Sequence, residues 1–455
     1  MKRRIDQHFE SPSKRAKVFG DVNSKLVGQA IEFEEENEIK WSDSQWNIIH
    51  QVDQKKNVFF TGNAGTGKST LLHFFKQAFP TDVLQVTATT GLAACHIGGT
   101  TIHSFVGAGL AKGTVESCVK YIRRFKPSVM RWKKTRILVI DEISMMSGLF
   151  FDKINAIAKQ IRGNEYPFGG IQLIITGDFL QLPPIPHRQE GFAFQASCWN
   201  DVVDVVCVLK TIFRQSDDTF VQLLNEVRIG KISQENVVIL QERLNQKEPD
   251  LSTVVETKLF SLKNEVERYN DRHLQLLDQT TEQYFNAEDW CEHKSFQSTL
   301  NAGQAREILK LRKGAHVMLI WNLDLDAGLC NGAQGIVDDF QLGPESGTIC
   351  PVVQFQNGVV RTIEPLMWKI EREGKTIAKR QQIPLILAWA LTIHKSQGMT
   401  LDRASISLKS VFEYGQAYVA LSRVRSLEGL RLISFDPKKI NAHAAARQFY
   451  EKLQL

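Results

Sequence analysis

The sequence predicts an α/β protein with a doubly wound parallel sheet and a small β-barrel inserted late in the chain. Short apolar runs alternate with helical stretches in the first half, and continuous apolar strands are typical of parallel strands covered by helices on both faces. The expected strands are 58–61, 84–87, 137–140 and 171–175, and the first expected helix is 68–79. Between residues 311 and 384, eight glycines separate short apolar runs, a spacing that favours a small antiparallel barrel. The α/β pattern returns after Pro384.

The composition is that of a globular, multidomain protein. The chain has 455 residues, of which 43% are apolar and 23% charged, with 56 Lys plus Arg against 50 Asp plus Glu. Domains of ~100–200 residues predict roughly two to four of them. Residues 2–17 carry +4 of the net charge of +6, so a nucleic-acid site must be a local patch and not a general basic field. We expect residues 1–40 to be a disordered, charged tail and the folded chain to begin near Trp41.

Cysteine usage and hydropathy exclude several classes of protein. The seven cysteines are odd in number, widely spaced and without a C-x-x-C pair, which argues against a disulfide framework and a structural zinc site. A reducing compartment is therefore expected. No apolar run reaches the ~18 residues of a membrane span, and the first residues lack the apolar stretch of a secretion signal. We expect no membrane partner.

A glycine-rich loop at 62–69 carries the strongest chemical signal. Its letters, GNAGTGKS, match the pattern G-x-x-x-x-G-K-[ST] between an expected strand and an expected helix. Glycines let backbone N–H groups approach phosphate oxygens, and the helix N-terminus adds a favourable dipole. We expect Lys68 to reach the β- and γ-phosphates of ATP and Ser69 to hold Mg²⁺. A chance glycine-rich turn is the alternative. The expected nucleotide-binding residues of this segment are Gly62, Ala64, Gly65, Thr66, Gly67, Lys68, Ser69 and Thr70.

Two further segments follow expected strands and suit nucleotide hydrolysis. Asp141 and Glu142 come directly after 137–140, where Asp141 is placed to bind Mg²⁺ and Glu142 to orient or deprotonate the attacking water. An acidic pair in a surface loop is the alternative. Gln181 lies in GDFLQLPP at 177–184 and is a candidate partner of the γ-phosphate or its water. Glutamine and proline are also common in plain loops, so this signal is weaker alone.

Eight short segments, taken in order, are typical of one family. They are GNAGTGKS at 62–69, TATTGLAA at 87–94, GGTTIHSF at 98–105, DEIS at 141–144, GDFLQLPP at 177–184, FRQ at 213–215, LAWALTIHKSQG at 387–398 and AYVALSRV at 417–424. A ninth, 151–170, ends in PFGG. Together they resemble the Pif-type (petite integration frequency) DNA helicases of superfamily one, branch B, over residues 41–450. The ninth looks like the signature segment that separates this family from its nearest relatives.

The resemblance implies two RecA-like P-loop NTPase domains with ATP between them, a short wedge element and an inserted small β-barrel. The expected bounds are 41–207 for the first domain with the wedge at 106–136, 208–310 plus 385–455 for the second domain, and 311–384 for the barrel. It also implies ATP-driven 5′→3′ translocation on single-stranded DNA.

The resemblance further assigns roles around ATP. Gln45 looks like the residue that reads adenine, Gln181 like the γ-phosphate sensor, and Arg214 and Arg423 like two arginine fingers. Guanidinium groups stabilise charge on a transferred phosphoryl group, and fingers from the second domain would act only when the cleft closes. For either arginine alone, a surface salt bridge is the alternative.

Three expected DNA segments, 87–94, 98–105 and 394–398, mix hydroxyls, glycine, histidine and lysine at strand ends. Such groups suit contacts to phosphates, which carry no sequence information. Phe105 is about equally suited to stacking on a base and to a place in the core, and His96 is expected to be structural. Eight cations between residues 120 and 136, with no acid among them, fit a DNA track, the wedge or a solvated helix face. The expected DNA contacts are Thr89, Gly91, His103, Ser104, Phe105, His394, Lys395 and Ser396.

The basic clusters at 2–4 and 14–17 resemble a bipartite nuclear import signal, with a solvated basic arm as the alternative. Asp6 and Glu10 weaken a mitochondrial transit signal, but family members occur in both compartments, so nucleus and mitochondrion are both open. The expected partners are single-stranded DNA and single/double-strand junctions, with G-quadruplex DNA open, and we expect a monomer without DNA.

Three functions are open: a genome-maintenance helicase, a DNA-stimulated translocase that strips proteins without much unwinding, and a nucleic-acid-binding scaffold with a degenerate ATPase. The presence of every expected catalytic residue, from Lys68 to Arg423, speaks against the scaffold.

Overall fold

A computed structural model describes residues 24–453 except 110, 112, 185–190, 216, 245–255, 302–304, 325–326, 330 and 373–374. The chain forms two compact units. The first comprises the chain up to Phe179 together with Pro184–Arg214, and the second comprises Leu180–Pro183 together with the chain from Gln215 onward. Gln181 therefore belongs by its contacts to the second unit, although the segments on either side belong to the first.

The first unit contains one parallel sheet. Its strands are β1 (Val58–Gly62), β2 (Leu84–Ala88), β3 (Thr100–Thr101), β4 (Ile137–Asp141), β5 (Gln172–Thr176) and β6 (Val205–Leu209). They pair in parallel in the order β3-β2-β4-β5-β1-β6. The helices are α1 (Lys25–Glu36), α2 (Asp43–Asp53), α3 (Lys68–Ala78), α4 (Gly91–His96), α5 (Ile102–Val106), α6 (Val115–Arg123), α7 (Lys126–Lys134), α8 (Gly148–Arg162) and α9 (Trp199–Val202).

The expected strands and the first expected helix are confirmed as β1, β2, β4, β5 and α3. All five residues of β1 are buried, as are four of the five in β4 and in β5, because helices cover such parallel strands on both faces. Local signals fix the helix starts. Ser42 and Gln45 form a reciprocal capping box at the start of α2, which satisfies two backbone donors at that end.

The expectation of a disordered tail over 1–40 is wrong for its second half. Lys25–Glu36 is a helix, α1, which buries Leu26, Val27, Ala30 and Phe33 on one face. Trp41 holds α1 by two hydrogen bonds. Its indole N–H donates to the Ala30 carbonyl (3.0 Å), and its backbone N–H donates to Glu34 Oε1 (2.7 Å). The glutamates that suggest a charged tail are mostly the solvated face of this amphipathic helix. The first 23 residues lie outside the described part of the chain.

The second unit contains a parallel sheet and several antiparallel ones. Its strands are β7 (Thr257–Phe260), β8 (Gln283–Asn286), β9 (Glu288–Cys291), β10 (Ile308–Leu311), β11 (His316–Leu319), β12 (Gln334–Leu342), β13 (Ile349–Phe355), β14 (Val360–Thr362), β15 (Leu366–Arg372), β16 (Lys375–Gln382), β17 (Leu385–Leu387), β18 (Ala390–Thr392), β19 (Ala404–Ser407) and β20 (Leu430–Ser434). Its helices are α10 (Asp218–Arg228), α11 (Gln234–Glu242), α12 (Lys263–Leu276), α13 (Gln297–Asn301), α14 (Gln416–Leu421) and α15 (Ala444–Lys452).

The parallel sheet of the second unit has the order β18-β7-β19-β20, and an antiparallel sheet has the order β14-β13-β12-β11-β17. The unit also contains a separate three-stranded sheet, β15-β16-β9, and a separate two-stranded sheet, β10-β8. A core of its own, including Leu311, Val317 and Phe355, lies under the antiparallel strands. Whether these strands close into a barrel stays a prediction.

Two expected boundaries are wrong. The first domain does not end at 207, because β6 continues to pair with β1 as far as Leu209 opposite Gly62. The inserted antiparallel region does not begin at 311, because two earlier strands already form antiparallel pairs. Strand β8 pairs with β10, and strand β9 pairs with β16. Apolar runs show where strands are, but they do not show which strand pairs with which across an intervening segment. No helix in the described ranges is both long and apolar enough to cross a membrane.

Candidate nucleotide and nucleic-acid sites

The glycine-rich loop joins β1 to α3 in the first unit. Gly65 and Gly67 have left-handed φ angles of +83° and +80°, which favour glycine. A Cβ on Gly62 would lie 2.8 Å from the Leu209 carbonyl oxygen and from Thr66 Oγ1. The Lys68 ammonium lies across the loop and donates to the carbonyls of Gly62 (2.7 Å) and Asn63 (2.8 Å). The loop therefore has the closely wrapped backbone that cradles phosphates.

Gln45 and Phe213 border this loop. Gln45 is buried, and its Oε1 accepts from the Ser42 N–H (2.9 Å) while a Cβ on Gly67 would lie 2.6 Å from its Nε2. Phe213 donates its backbone N–H to the Gly65 carbonyl (2.8 Å), and its exposed ring lies beside Gly67. Phe213 begins the FRQ segment, but nothing in the sequence predicts this role for it. The hydrogen bond from Phe213 holds the chain against the loop at the position just before Arg214, which is half-exposed.

The acidic pair lies at the end of β4. Glu142 donates its backbone N–H to Asp141 Oδ1 (2.8 Å) and adopts a left-handed conformation (φ +52°), which is uncommon for a residue other than glycine. Burial raises the pKa of Asp141 well above its usual range and the Glu142 carboxylate adds to this, while the Glu142 N–H and the Lys68 ammonium oppose the rise. The Lys68 ammonium thus favours the ionised form of Asp141. The exposed Ser69 hydroxyl and the Asp141 carboxylate are hard oxygen donors that fit Mg²⁺, which would favour the ionised carboxylate.

The first expected DNA segment is bonded directly to this pair. Thr89 donates through Oγ1 to the Glu142 carbonyl (2.8 Å) and through its backbone N–H to the Asp141 carbonyl (3.3 Å). Gly91, the first residue of α4, is exposed, and a Cβ there would meet no atom within 4 Å. The end of β2 therefore connects a surface segment to the expected hydrolytic residues.

The second expected DNA segment forms α5. Ser104 is exposed, and His103 stacks on Phe150 with ring centroids 4.5 Å apart. Burial lowers the pKa of His103 below its usual range, which favours the neutral ring. Phe105 is only 1% exposed and packs on Trp132 at 4.6 Å. The suggestion that Phe105 stacks on a base is therefore wrong, and the core alternative is right.

The basic segment forms α6 and α7 and divides into two kinds of cation. Arg131 donates to the carbonyls of Phe105 (3.0 Å) and Ser104 (3.2 Å), so it is tied to α5. Arg123 donates to the Gln160 carbonyl (3.0 Å) although it is exposed. The other cations are exposed: Lys120, Arg124, Lys126, Lys133, Lys134 and Arg136. Whether these serve a track or a wedge stays a prediction.

The third expected DNA segment lies in the second unit, in a single turn, Ile393–Ser396, after β18. His394 donates through Nε2 to Glu413 Oε2 (2.9 Å). Lys395 is exposed, and its pKa is lowered first by partial burial of the ammonium and then by Arg306 and Lys263. Ser396 is fully buried and donates to the Ile393 carbonyl (2.8 Å), so the expectation that its hydroxyl contacts DNA is wrong.

A cavity of about 440 Å³ adjoins this turn. Its charged and aromatic lining is Lys263, Glu267, Arg306, His394, Lys395 and Phe412. Glu267 forms ion pairs with both Lys263 and Arg306, each at 3.7 Å. Phe412 is 60% exposed, and its ring centroid lies 6.4 Å from that of His394. Phe412 was not predictable from the sequence, because it lies five residues before the AYVALSRV segment and belongs to no motif. The exposed Lys395 and Phe412 at this cavity are of the residue types that contact phosphates and bases in single-strand binding grooves.

The remaining expected residues, Gln181 and Arg423, belong to the second unit and are both buried. Arg423 donates through Nε to the Val419 carbonyl (2.8 Å) and through Nη2 to Ser422 Oγ (2.8 Å), which rules out the surface salt-bridge alternative. Gln215 donates to the Val424 carbonyl (3.1 Å) and so holds the adjacent backbone. Arg214 belongs to the first unit.

Comparisons with known proteins identify a family. Residues 40–238 match the PIF1-like helicase family, and residues 295–340 match the DNA helicase Pif1, 2B domain. The chain is 44% identical over 421 residues to the ATP-dependent DNA helicase PIF1 of Xenopus laevis, which covers 92% of this chain and 65% of that relative. The chain thus spans just under two thirds of the length of this curated relative.

Solved structures are similar over nearly the whole chain. The crystal structure of Pif1 helicase from Candida albicans is 38% identical with a TM-score of 0.84, covering 91% of this chain and 100% of that one. A crystal structure of Pif1 helicase from Bacteroides in complex with ADP-AlF3 and ssDNA is 29% identical with a TM-score of 0.70, covering 91% and 97%. The parallel sheet and the glycine-rich loop between β1 and α3 define a P-loop protein. The chain belongs to the PIF1-like helicase family.

Proposed function

We propose that the chain is an ATP-dependent DNA helicase that moves 5′→3′ along single-stranded DNA and unwinds duplex DNA. The observation that most supports this is the pair of hydrogen bonds between Thr89 and the backbone of Asp141 and Glu142. These bonds join a segment expected to contact DNA to the residues expected to hydrolyse ATP. A shift of Thr89 on DNA binding would therefore move the acidic pair directly.

ATP hydrolysis follows from the residues around the loop. Backbone N–H groups of the loop and the Lys68 ammonium bind the phosphates, and the dipole of α3 adds to the attraction. Ser69 and Asp141 would hold Mg²⁺, which neutralises phosphate charge when bound. Glu142 orients the attacking water and takes its proton. Gln45 reads adenine, Gln181 contacts the γ-phosphate, and Arg214 and Arg423 stabilise the charge of the transition state.

The DNA path uses groups that read no sequence. In the first unit, the exposed Ser104 and Gly91 and the His103 ring contact the phosphate backbone. In the second unit, Lys395 and the neighbouring cations of the cavity do the same, and the exposed Phe412 ring stacks on a base. The Bacteroides relative was solved with ssDNA, which supports DNA as the partner here.

Strand displacement tests this proposal. Two partial duplexes with the same paired sequence, one with a 5′ and one with a 3′ single-stranded tail, are incubated with the protein, ATP and Mg²⁺. Unwinding only from the 5′ tail is expected. Unwinding from the 3′ tail would contradict the polarity. DNA-stimulated hydrolysis without unwinding, together with displacement of streptavidin from a biotinylated strand, would favour the translocase.

We further propose that the protein acts in genome maintenance, as a monomer before it meets DNA, with G-quadruplexes among its substrates, and in the nucleus, with the mitochondrion as a second compartment. The basic clusters at 2–4 and 14–17 support nuclear import. Deleting residues 2–17 from a fluorescently tagged protein should abolish nuclear accumulation. Unchanged accumulation would show that these clusters are not the signal.

A further inference from the structure

The residues 412–415, here called the 412–415 loop, lie between the cavity beside His394 and α14. At the cavity end, Phe412 is exposed and Glu413 accepts the 2.9 Å hydrogen bond from His394 Nε2. The Glu413 side chain is only 7% exposed, against 30% for His394. A buried carboxylate thus holds the ring of a residue expected to contact DNA. Surface ion pairs contribute little, but a bond to a buried charged partner fixes orientation more strongly.

The loop is fastened to the first turn of α14. Gln416 is fully buried, and its Oε1 accepts from the Phe412 N–H at 3.1 Å. Its Nε2 is also buried and has no hydrogen-bond partner among the described residues. Since this amide bridges the loop and the helix, a displacement of Phe412 or Glu413 is carried into the start of α14.

The same loop packs against the main chain of the expected γ-phosphate sensor. Gly415 has a left-handed φ of +71°, and a Cβ there would overlap the carbonyl oxygens of Leu180 and Gln181. Its backbone N–H donates to the Asn441 carbonyl (2.9 Å). Only glycine permits this approach, so the position of Gln181 depends directly on the position of the loop.

The far end of α14 carries the expected arginine finger. Arg423 lies two residues beyond the helix, and its Nε donates to the Val419 carbonyl within the helix at 2.8 Å. The guanidinium therefore moves with α14. The 412–415 loop contacts His394 on one side, Gln181 on another and α14 on a third.

We propose that Glu413 is a positioning residue: it orients His394 for DNA and, through the 412–415 loop, passes the state of the DNA site to Gln181 and α14. The inference rests on the proposed function, because it concerns the stimulation of ATP hydrolysis by DNA. A contiguous set of packed contacts is the physical basis for such coupling, and a coupling measurement is what establishes it.

The test measures ATP hydrolysis by the full chain without DNA and at saturating oligo(dT), for wild type and Glu413→Gln. The substitution removes the charge but keeps the side-chain size. We expect basal hydrolysis within about twofold of wild type and a roughly tenfold loss of the DNA-stimulated rate, the size of effect that one charge-assisted hydrogen bond carries. A purely structural role would lower both rates together.

The matched control is Asp402→Asn, which breaks the ion pair with Arg425 (3.0 Å) in the same unit, where the Asp402 side chain is 81% exposed. It should leave the stimulated rate unchanged. A double variant, His394→Gln with Glu413→Gln, should be no worse than His394→Gln alone, because both act through one contact. Glu413→Asp, which keeps the charge and shortens the side chain, should fall between wild type and Glu413→Gln and serves if the latter does not fold.

Full DNA stimulation of Glu413→Gln, or independent, multiplying losses in the double variant, would overturn the inference while leaving the proposed function intact. Wild-type protein that DNA does not stimulate would overturn both.

Discussion

Replacing Arg131 with methionine should weaken single-strand DNA binding without altering the nucleotide site. Arg131 lies on α7 and donates to the carbonyls of Phe105 (3.0 Å) and Ser104 (3.2 Å) in α5, the short helix that carries His103. Carbonyls near the end of a helix lack partners within it and need others. Methionine is an apolar residue of similar length that cannot donate, and it also removes the guanidinium that lies 5.8 Å from the Phe105 ring centroid. The substitution therefore frees the end of α5 without opening a large cavity.

The size of the effect follows from the two bonds. A hydrogen bond from a charged donor contributes about 1.5–3 kcal/mol, and partial exposure places each of these two bonds at the lower end, so we expect a combined loss of about 3 kcal/mol. In a unit of roughly 200 residues that corresponds to a melting temperature lower by about 6–12 °C. Differential scanning calorimetry measures this, and fluorescence anisotropy with labelled oligo(dT) measures affinity over a range of salt concentrations.

The control is Arg124→Met, which removes an equal charge from an exposed position in the same segment. It should leave the melting temperature within about 1 °C, since surface substitutions change stability by less than about 0.5 kcal/mol. If Arg124 contacts a phosphate, its loss flattens the dependence of affinity on salt, whereas Arg131→Met lowers affinity with little change in that slope. Equal melting temperatures for Arg131→Met and wild type would refute the argument.

Three further predictions concern the nucleotide site and the core. Glu142→Gln should lower ATP hydrolysis roughly 10²–10⁴-fold and leave fluorescent ATP-analogue binding intact; preserved turnover would remove Glu142 from its role. Arg214→Ala and Arg423→Ala should each lower hydrolysis more than nucleotide affinity, and only Arg423→Ala should also lower the melting temperature, because Arg423 is buried while Arg214 is partly exposed. Phe105→Ala should lower the free energy of unfolding by about 3–5 kcal/mol in urea titrations, as for other buried phenylalanines; unchanged stability would contradict its place in the core.

The wrapped conformation of the glycine-rich loop was predictable because its determinants are local in sequence. Glycines at 65 and 67, a lysine and a serine must follow one another to wrap a phosphate, so the letters alone specify the loop between β1 and α3. The same holds for β4, whose apolar run delivers Asp141 and Glu142 to the sheet edge. Strand content and parallel pairing in the first unit followed from burial on both faces.

What was not predictable depends on contacts between distant segments. Helix α1 is amphipathic, but its acidic residues obscure the apolar face that Trp41 covers. Phe105 matches a stacking residue as well as a core residue until Trp132 is seen against it. Glu413 carries no motif of its own, and only the fold brings it to His394, 19 residues earlier in the chain. The strands that pair with β8 and β9 likewise cannot be identified from the alternation of apolar and polar residues. That alternation shows which face of a strand is buried but not which other strand lies beside it.

Single-stranded DNA should drive ATP hydrolysis at the loop between β1 and α3. The most direct measurement is steady-state phosphate release with Mg²⁺ and ATP, with and without oligo(dT), for wild type and Lys68→Ala. We predict strong stimulation of the wild type by DNA, no turnover by Lys68→Ala in either condition, and oligo(dT) affinity of Lys68→Ala close to wild type. A wild-type rate of phosphate release that is the same with and without oligo(dT) would contradict this expectation, and so would turnover by Lys68→Ala.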